Sequence, residues 1–307
     1  MITDLGDEAA EYGRNARRAF EAAGGDELVQ EAERSGDRGG VAKLLDELGA
    51  WDLDPWAGTE EMEAAAALCR SAGWWALPHP VAERLARPRD LDVDGLVVVA
   101  SHAPAAAVAG TDLRWAAVTL DGRRSLATPA APTAPPRTSG FVVGLSLAPV
   151  DRAGAGDVAL GLVLPCWTLL GMLDRALDLT AAYVQARQQF GQPLASFQGV
   201  QFQLTDAEVE RVGLEELAKH ALWSVETRRP EALDDALALR LAAIEAAEVV
   251  FRIAHQLHGA IGFCDETMLS WLSRASQPLR RLPLGLSATR AALTDRLGRH
   301  GLTGLFG

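Results

Sequence analysis

The sequence predicts a mainly α-helical protein with a small β middle region. Three observations carry that expectation. Leu169, Leu173, Leu177, Thr180 and Val184 repeat at spacings of four and three, the period of one helix face. Alanine and leucine outweigh β-branched and aromatic residues in a chain that is 49% apolar and 23% charged. Short β-like runs are confined to one stretch, between residues 89 and 160. At 307 residues the chain is long enough for a sizeable core and needs no disulfide framework.

Residues 1–88 read as an N-terminal helical domain of short amphipathic helices, broken at Gly24-Gly25, Gly39-Gly40 and Asp54-Pro55. Its most distinctive run is Trp74-Trp75-Ala76-Leu77-Pro78-His79-Pro80-Val81-Ala82-Glu83. The tryptophans there are expected to pack, and His79, between two prolines, to be a loop residue. Residues 89–160 read as a reduced middle β-domain with strands at Leu96–Val99, Trp115–Leu120 and Phe141–Leu145. Asp121-Gly122 is a turn signal, and Ala127 to Ser139 is too rich in Pro and Ala for a regular element.

Residues 161–307 read as a C-terminal four-helix bundle. One helix runs up to Gly191-Gln192-Pro193 with Arg187 in its last turn, and a second starts near Phe197 and carries a stripe of Leu214, Leu217, Ala221 and Val225. A third bears Leu237, Leu241, Ile244, Ala247, Phe251 and Ala254, and a last one spans about Ser287 to Arg299.

A net charge of −12 opposes nonspecific binding to nucleic acid or to an anionic membrane surface. Cys69, Cys166 and Cys264 lack CxxC spacing and read as reduced, buried thiols of a cytoplasmic protein. The first residues are acidic and lack an apolar signal core, and no run of the length that crosses a bilayer stands out. His255 and His258 are three apart on one helix face but have no carboxylate or cysteine at a matching offset, so no metal site is expected. The chain carries no nucleophile elbow, phosphate loop or dinucleotide fingerprint.

Two stretches carry a resemblance. Arg187-x-x-Phe190-Gly191, followed by Phe197-Gln198 and Asp206, resembles the signature of the acyl-CoA dehydrogenase family. Downstream, His255-Gln256-Leu257-His258-Gly259-Ala260-Ile261-Gly262-Phe263 resembles that family's Gln-Leu-x-Gly-Gly-x-Gly-Phe segment, with Ala260 in place of the second glycine. The likeness covers residues 160 to 300 well, the first 90 loosely and the middle poorly. It implies an acyl-CoA dehydrogenase-like fold and a set of FAD contacts at Arg187, Gln189, Phe190, Gln256 and Gly259, with the guanidinium on the pyrophosphate of a cofactor bound mainly by the neighbouring subunit.

The same comparison exposes what is missing. The family's flavin-ring stretches, Thr-Glu-Pro-x-Ala-Gly-Ser-Asp and Trp-[Ile/Cys]-Thr/Ser-Asn, have no counterpart in residues 89–160. The glutamate that removes the α-proton comes, in the family, from one of two places, which fall here at Leu160 and near Pro283; neither is a carboxylate. Asp265 and Glu266 follow the Gly-Phe segment in a place the family uses structurally, so no catalytic residue is assigned to this chain.

The resemblance therefore implies the non-flavin-holding subunit of a heteromeric α2β2 acyl-CoA dehydrogenase, like those of actinobacteria that act on CoA esters of steroid side chains. A homologous partner would supply the flavin-ring site and the base. An acyl-CoA would be the substrate and an electron-transfer protein the acceptor. The alternative is a catalytically inactive structural or regulatory homologue that stabilises a partner or binds a CoA ligand.

Overall fold

The computed structural model describes residues 4–108, 112–130 and 142–301. Five helices come first: α1 (Asp7–Ala22), α2 (Asp26–Ser35), α3 (Gly39–Glu47), α4 (Thr59–Trp74) and α5 (Val81–Leu85). Strands follow: β1 (Gly95–Val98), β2 (Ala105–Ala106), β3 (Trp115–Val118), β4 (Arg124–Pro129) and β5 (Val143–Asp151). The chain then turns helical at α6 (Ala155–Ala186), ahead of the 161 expected from the sequence, because Gly156 and Asp157 are tolerated in a first turn that the apolar pattern does not mark. A two-stranded ribbon, β6 (Gln188–Gln189) and β7 (Gln192–Pro193), leads to α7 (Gln198–Glu226), α8 (Ala232–His258), α9 (Met268–Arg281) and α10 (Leu286–His300).

The α6 helix is the axis on which the rest is assembled. Sixteen of its residues, from Val158 to Val184, are buried. It packs on α4 along one side, on α7 and α8 along another, and on α9. One main core runs from Phe20 of α1 through Leu68, Trp167, Leu222 and Phe251 to Leu272 of α9. By length and composition α6 is apolar enough to cross a membrane, a property the sequence reading passed over, but 72% of its apolar window is buried inside the fold. Its hydropathy is that of a core helix clothed on all sides.

The α4 and α6 helices meet backbone to backbone. A Cβ placed on Gly73 would lie 1.9 Å from the Thr168 carbonyl oxygen, and one on Gly171 would lie 1.9 Å from the Arg70 carbonyl oxygen. Beside this crossing, Arg70 Nε reaches Asp174 Oδ2 at 2.6 Å and its Nη1 reaches Glu215 Oε1 at 2.9 Å, and Arg211 Nη1 lies 2.7 Å from Glu215 Oε2. Burial raises the Glu215 carboxyl, but hydrogen bonds and charge from Arg70 and then Arg211 overcome this and hold it down at about 2.

The sheet has the order β1-β3-β4-β5-β2, with β1 and β3 parallel and the remaining pairings antiparallel. Both faces of β1 are buried: Leu96 and Val98 face the main core, while Val97 and Val99 join Trp115, Ala117 and Ala127 in a smaller cluster. Asp121-Gly122 does form the β3–β4 turn, with Gly122 at φ 78°. Strand β4 was not expected, and it claims Ala127 to Pro129 from the segment read as loop; residues 131–139 of that segment, and Phe141, lie outside the described residues. The sheet is tied to α6 through Arg124, whose Nη2 lies 2.7 Å from both Asp90 Oδ2 and Asp151 Oδ2 and whose Nη1 lies 3.6 Å from Asp157.

Trp75 is 6% exposed and donates from Nε1 to the Arg17 carbonyl at 3.1 Å, while Arg17 lies 4.0 Å over the Trp74 ring, so the paired tryptophans are packing residues. Cys69 and Cys166 are buried thiols, whereas Cys264 is exposed, against expectation. Helix α9 is an element beyond the four read from the sequence.

Candidate functional site

The corner between α6 and α7 is built by a short reversal. Arg187 caps α6 in an extended conformation just past the last turn rather than inside it. Gln188-Gln189 pairs with Gln192-Pro193, and the two residues between, Phe190 (φ 54°) and Gly191 (φ 79°), both take left-handed backbone, as a tight hairpin turn of this twist requires. The Arg187 carbonyl accepts from the Leu194 N–H at 2.8 Å, which locks the reversal against the 3-10 turn Leu194–Ser196, and α7 begins one residue on, with Phe197 at its N-cap.

The end of α8 faces this corner. His258 stacks on Tyr183 of α6, ring centroids 4.4 Å apart, and its Nδ1 lies 2.9 Å from the Ala254 carbonyl oxygen. His255 stacks on Phe263 at 4.3 Å. Both imidazoles are held below their usual pKa by burial, and no metal-binding cluster exists among the described residues. Gly259 then takes φ 66° and ψ −147°, a conformation essentially limited to glycine, and no atom lies within 4 Å of where a Cβ would stand.

These pieces enclose a cleft of about 640 Å³. Arg187, Gln189, Gln256 and Gly259, separated by some seventy residues of intervening helix, line it together, with Tyr183, Gln203 and Ala260. Phe190 is not in its wall; it is 90% exposed and meets Phe197 edge-on at 6.1 Å. The Arg187 guanidinium is exposed and has no hydrogen-bond or ion-pair partner among the described residues. An unpaired guanidinium, two primary amides and an open glycine backbone form a donor set suited to phosphate oxygens and a nucleotide. The residues therefore fit the phosphate-bearing end of FAD.

The two places from which a base was sought are apolar in the structure as well. Leu160 is 0% exposed inside α6, and Pro283 sits in the turn after α9. Asp265 and Glu266 are exposed, and Asp265 pairs with Arg274 at 2.8 Å, so neither commands a dry pocket. The group that sequence reasoning missed is Glu83 on α5. It borders a cavity walled also by Gly161, Leu162 and Pro283, next to both expected base positions. Its signal was a carboxylate set in an apolar run behind Pro80. His79, expected as a simple loop residue, is buried at 9% exposure against Trp51 and Arg84, and burial followed by the Arg84 charge pushes its imidazole down to about 3.

Burial pushes the Glu83 carboxyl up from 4.5 to about 7. Because the folded protein holds this proton more tightly than the unfolded chain, the Glu83 contribution favours folding below pH 4.5 and is lost as pH rises towards 7. The Glu83→Gln variant is expected to gain about 2 to 3 kcal/mol over the parent at pH 8 and little at pH 4. Urea unfolding of both proteins at the two pH values checks this, and an equal difference at both would refute it.

Residues 163–285 match the family model of the acyl-CoA dehydrogenase C-terminal domain. Among curated proteins, the chain is 35% identical over 145 residues to a 3-sulfinopropanoyl-CoA desulfinase of Paraburkholderia xenovorans, covering 46% of this chain and 34% of that protein. It is 36% identical over 141 residues to the acyl-CoA dehydrogenase FadE27 of Mycobacterium tuberculosis, covering 42% of this chain and 34% of the relative. The matched stretch thus spans about a third of these relatives' length. Among solved structures, the ChsE4-ChsE5 complex from Mycobacterium tuberculosis superposes with a TM-score of 0.76 at 19% identity over 99% of this chain and 100% of that one. The Tcur3481-Tcur3483 steroid acyl-CoA dehydrogenase variant gives 0.77 at 20% identity over 96% and 99%. The mainly α fold with a small mixed sheet is the acyl-CoA dehydrogenase fold.

Proposed function

We propose that this chain, which carries the acyl-CoA dehydrogenase C-terminal domain and has the acyl-CoA dehydrogenase fold, is one subunit of a heteromeric FAD-dependent acyl-CoA dehydrogenase. The observation that carries the reading is the cleft in which Arg187, Gln189, Gln256 and Gly259 converge with their polar groups unspent. In this reading Arg187 binds the pyrophosphate, the amides of Gln189 and Gln256 orient the nucleotide, and Gly259 lets the cofactor approach the backbone. Phe190 contributes to the rim. Bound FAD supplies the hydride acceptor for α,β-dehydrogenation of an acyl-CoA thioester. The partner, a homologous subunit, contributes the flavin-ring site and the base of that active centre, since Leu160 and Pro283 offer none here.

The rim of the cleft supports a partner chain. Ile261 in its wall is 44% exposed, and on the segments that build it Phe190 is 90%, Phe263 68% and Phe202 59% exposed, large apolar side chains that solvent alone does not favour. The ChsE4-ChsE5 and Tcur3481-Tcur3483 structures are complexes of two unlike chains by name, and the second is a steroid enzyme. A heterotetramer acting on a steroid-type side-chain CoA ester, with an electron-transfer protein as acceptor, is the specific form of the proposal.

The test is coexpression with a candidate homologous acyl-CoA dehydrogenase chain from the same genome. The pair is expected to co-purify and to reduce a dye with an acyl-CoA, with neither chain active alone. Within that complex, Arg187→Ala is expected to weaken FAD binding about ten- to a hundredfold, the worth of a charge-assisted contact, while assembly persists. Unchanged FAD affinity would return Arg187 to a helix-end charge of small effect. A complex that forms without flavin or activity would favour the structural homologue, for which the apolar base positions already speak.

A further inference from the structure

The outward face of α7 carries a second helical seam. Gln198, Phe202, Thr205, Val209, Val212 and Glu216 recur at spacings of four and three in alternation, the repeat with which one helix packs along another. The opposite face of the same helix is already packed: Ala207, Leu214, Ala218, Ala221 and Val225 are buried, and α7 lies against α6 and α8. On the outward seam, by contrast, Phe202 is 59%, Val209 63% and Val212 42% exposed. A surface helix ordinarily keeps its apolar residues on one face. Here aromatic and β-branched side chains form a stripe on the other face as well, where they lower helix propensity and touch no core.

Charge names what covers it. Asp206 and Glu210 border one side of the seam, are exposed and have no hydrogen-bond or ion-pair partner among the described residues. The neighbouring carboxylates are held within the chain, Glu208 and Glu215 by Arg211 and Glu216 by Lys219. The unanswered charge of this face is therefore negative, on a chain whose net charge is already −12. Laid antiparallel against a second copy so that Phe202 faces Val212 and Thr205 faces Val209, the seam would bring Asp206 beside its own counterpart. Two copies thus set carboxylate against carboxylate, whereas lysine or arginine on a different helix would pair with it.

We propose that this face of α7 docks an amphipathic helix of a partner chain, with an apolar seam of the same repeat flanked by lysine or arginine on the side of Asp206 and Glu210. That the homologous subunit carries this helix rests on the function proposed above. The recognition chemistry does not, and it is independent of flavin.

A copy of the full-length chain with Asp206→Lys and Glu210→Lys presents a helix of that description and serves as the probe. Sedimentation equilibrium is measured on the parent, on this variant and on their equimolar mixture. The mixture is expected to form a one-to-one dimer about tenfold or more tighter than either protein forms with itself, and the preference should fade at high salt. Val209→Asp in the parent should abolish the mixed dimer while the circular dichroism spectrum is kept, since Val209 is mostly exposed; Val212→Asp repeats the test if that variant unfolds. In the coexpressed complex, Val209→Asp should cost the co-purification that Arg187→Ala leaves intact. A mixture that does not associate, or a parent that dimerises alone as tightly as the mixture, would overturn the proposal. Undiminished co-purification of Val209→Asp would also overturn it and leave the heteromeric reading standing. If the parent pair itself fails to assemble, the heteromeric reading falls, and the mixing result still decides this one.

Discussion

Purified alone, the chain is expected to be colourless, and purified with its partner it should carry flavin absorbance near 450 nm. In the proposed function the cleft at the α6–α7 corner would hold one end of the cofactor only. Its contacts come from an exposed guanidinium, two exposed amides and one glycine backbone, all on one wall and open to solvent. A single charge-assisted hydrogen bond contributes about 1.5 to 3 kcal/mol, and association costs at least about 4 kcal/mol in lost translation and rotation. A few such contacts on an open surface leave little net affinity. The sequence of residues 89–160 holds neither flavin-ring stretch, so under the proposed function the remaining affinity would come from another chain. Stoichiometric flavin in the protein purified alone would sink the heteromer reading and point to a self-sufficient enzyme.

The cleft was legible because its parts obey strong local rules. Gly191 and Pro193 end a helix whatever surrounds them, Gly259 marks a backbone that only glycine adopts, and the helices between have clear apolar faces. Topology then brings the two pieces together, as the resemblance implied. Helix α9 was not legible, and its composition explains why. Two of its buried positions are Ser270 and Ser276, Pro278 lies inside its last turn, and Arg274, Arg280 and Arg281 crowd what remains, so the apolar period reduces to Met268, Leu269 and Leu272. Strand β4 failed for a related reason. The run Arg-Ser-Leu-Ala-Thr-Pro has one large apolar side chain, Leu126, and that one is 46% exposed; pairing with β3 and β5 makes the strand, and no single-chain pattern shows pairing. The stripe on α7 was half right: Leu214, Ala221 and Val225 are buried, but Leu217 is 43% exposed, on a helix that turns an apolar flank outward. Glu83 escaped because its significance is purely spatial. Val81 and Leu85 place α5 in the core, and only the arrangement of β1, α6 and α9 around it leaves space at the carboxyl.

The largest loss of stability should come from a single methyl group at the α4–α6 crossing. Gly171→Ala would set a Cβ 1.9 Å from the Arg70 carbonyl oxygen and 3.0 Å from the Trp74 nitrogen, inside any permitted contact and against backbone that has no rotamer with which to yield. The helices must then part. Arg70 also holds Asp174 on α6, less than one turn beyond Gly171, and Glu215 on α7, so separating the axes stretches a partly buried network of charges along with the packing. Overpacking of a core usually costs about 1 to 3 kcal/mol, and a clash between two main chains with an ion pair behind it belongs at or beyond the upper end, about 3 kcal/mol or more. Gly73→Ala meets the Thr168 carbonyl oxygen at the same 1.9 Å and should cost as much. The double variant should cost less than twice as much, because one displacement of the helices relieves both clashes. Gly213→Ala is the control: this glycine lies within α7 with nothing within 4 Å of where the new methyl group would stand, and the change should stabilise by up to about 1 kcal/mol through helix propensity. Urea unfolding followed by circular dichroism decides the matter. A Gly171→Ala protein within about 1 kcal/mol of the parent would mean that the two helices do not cross at these glycines.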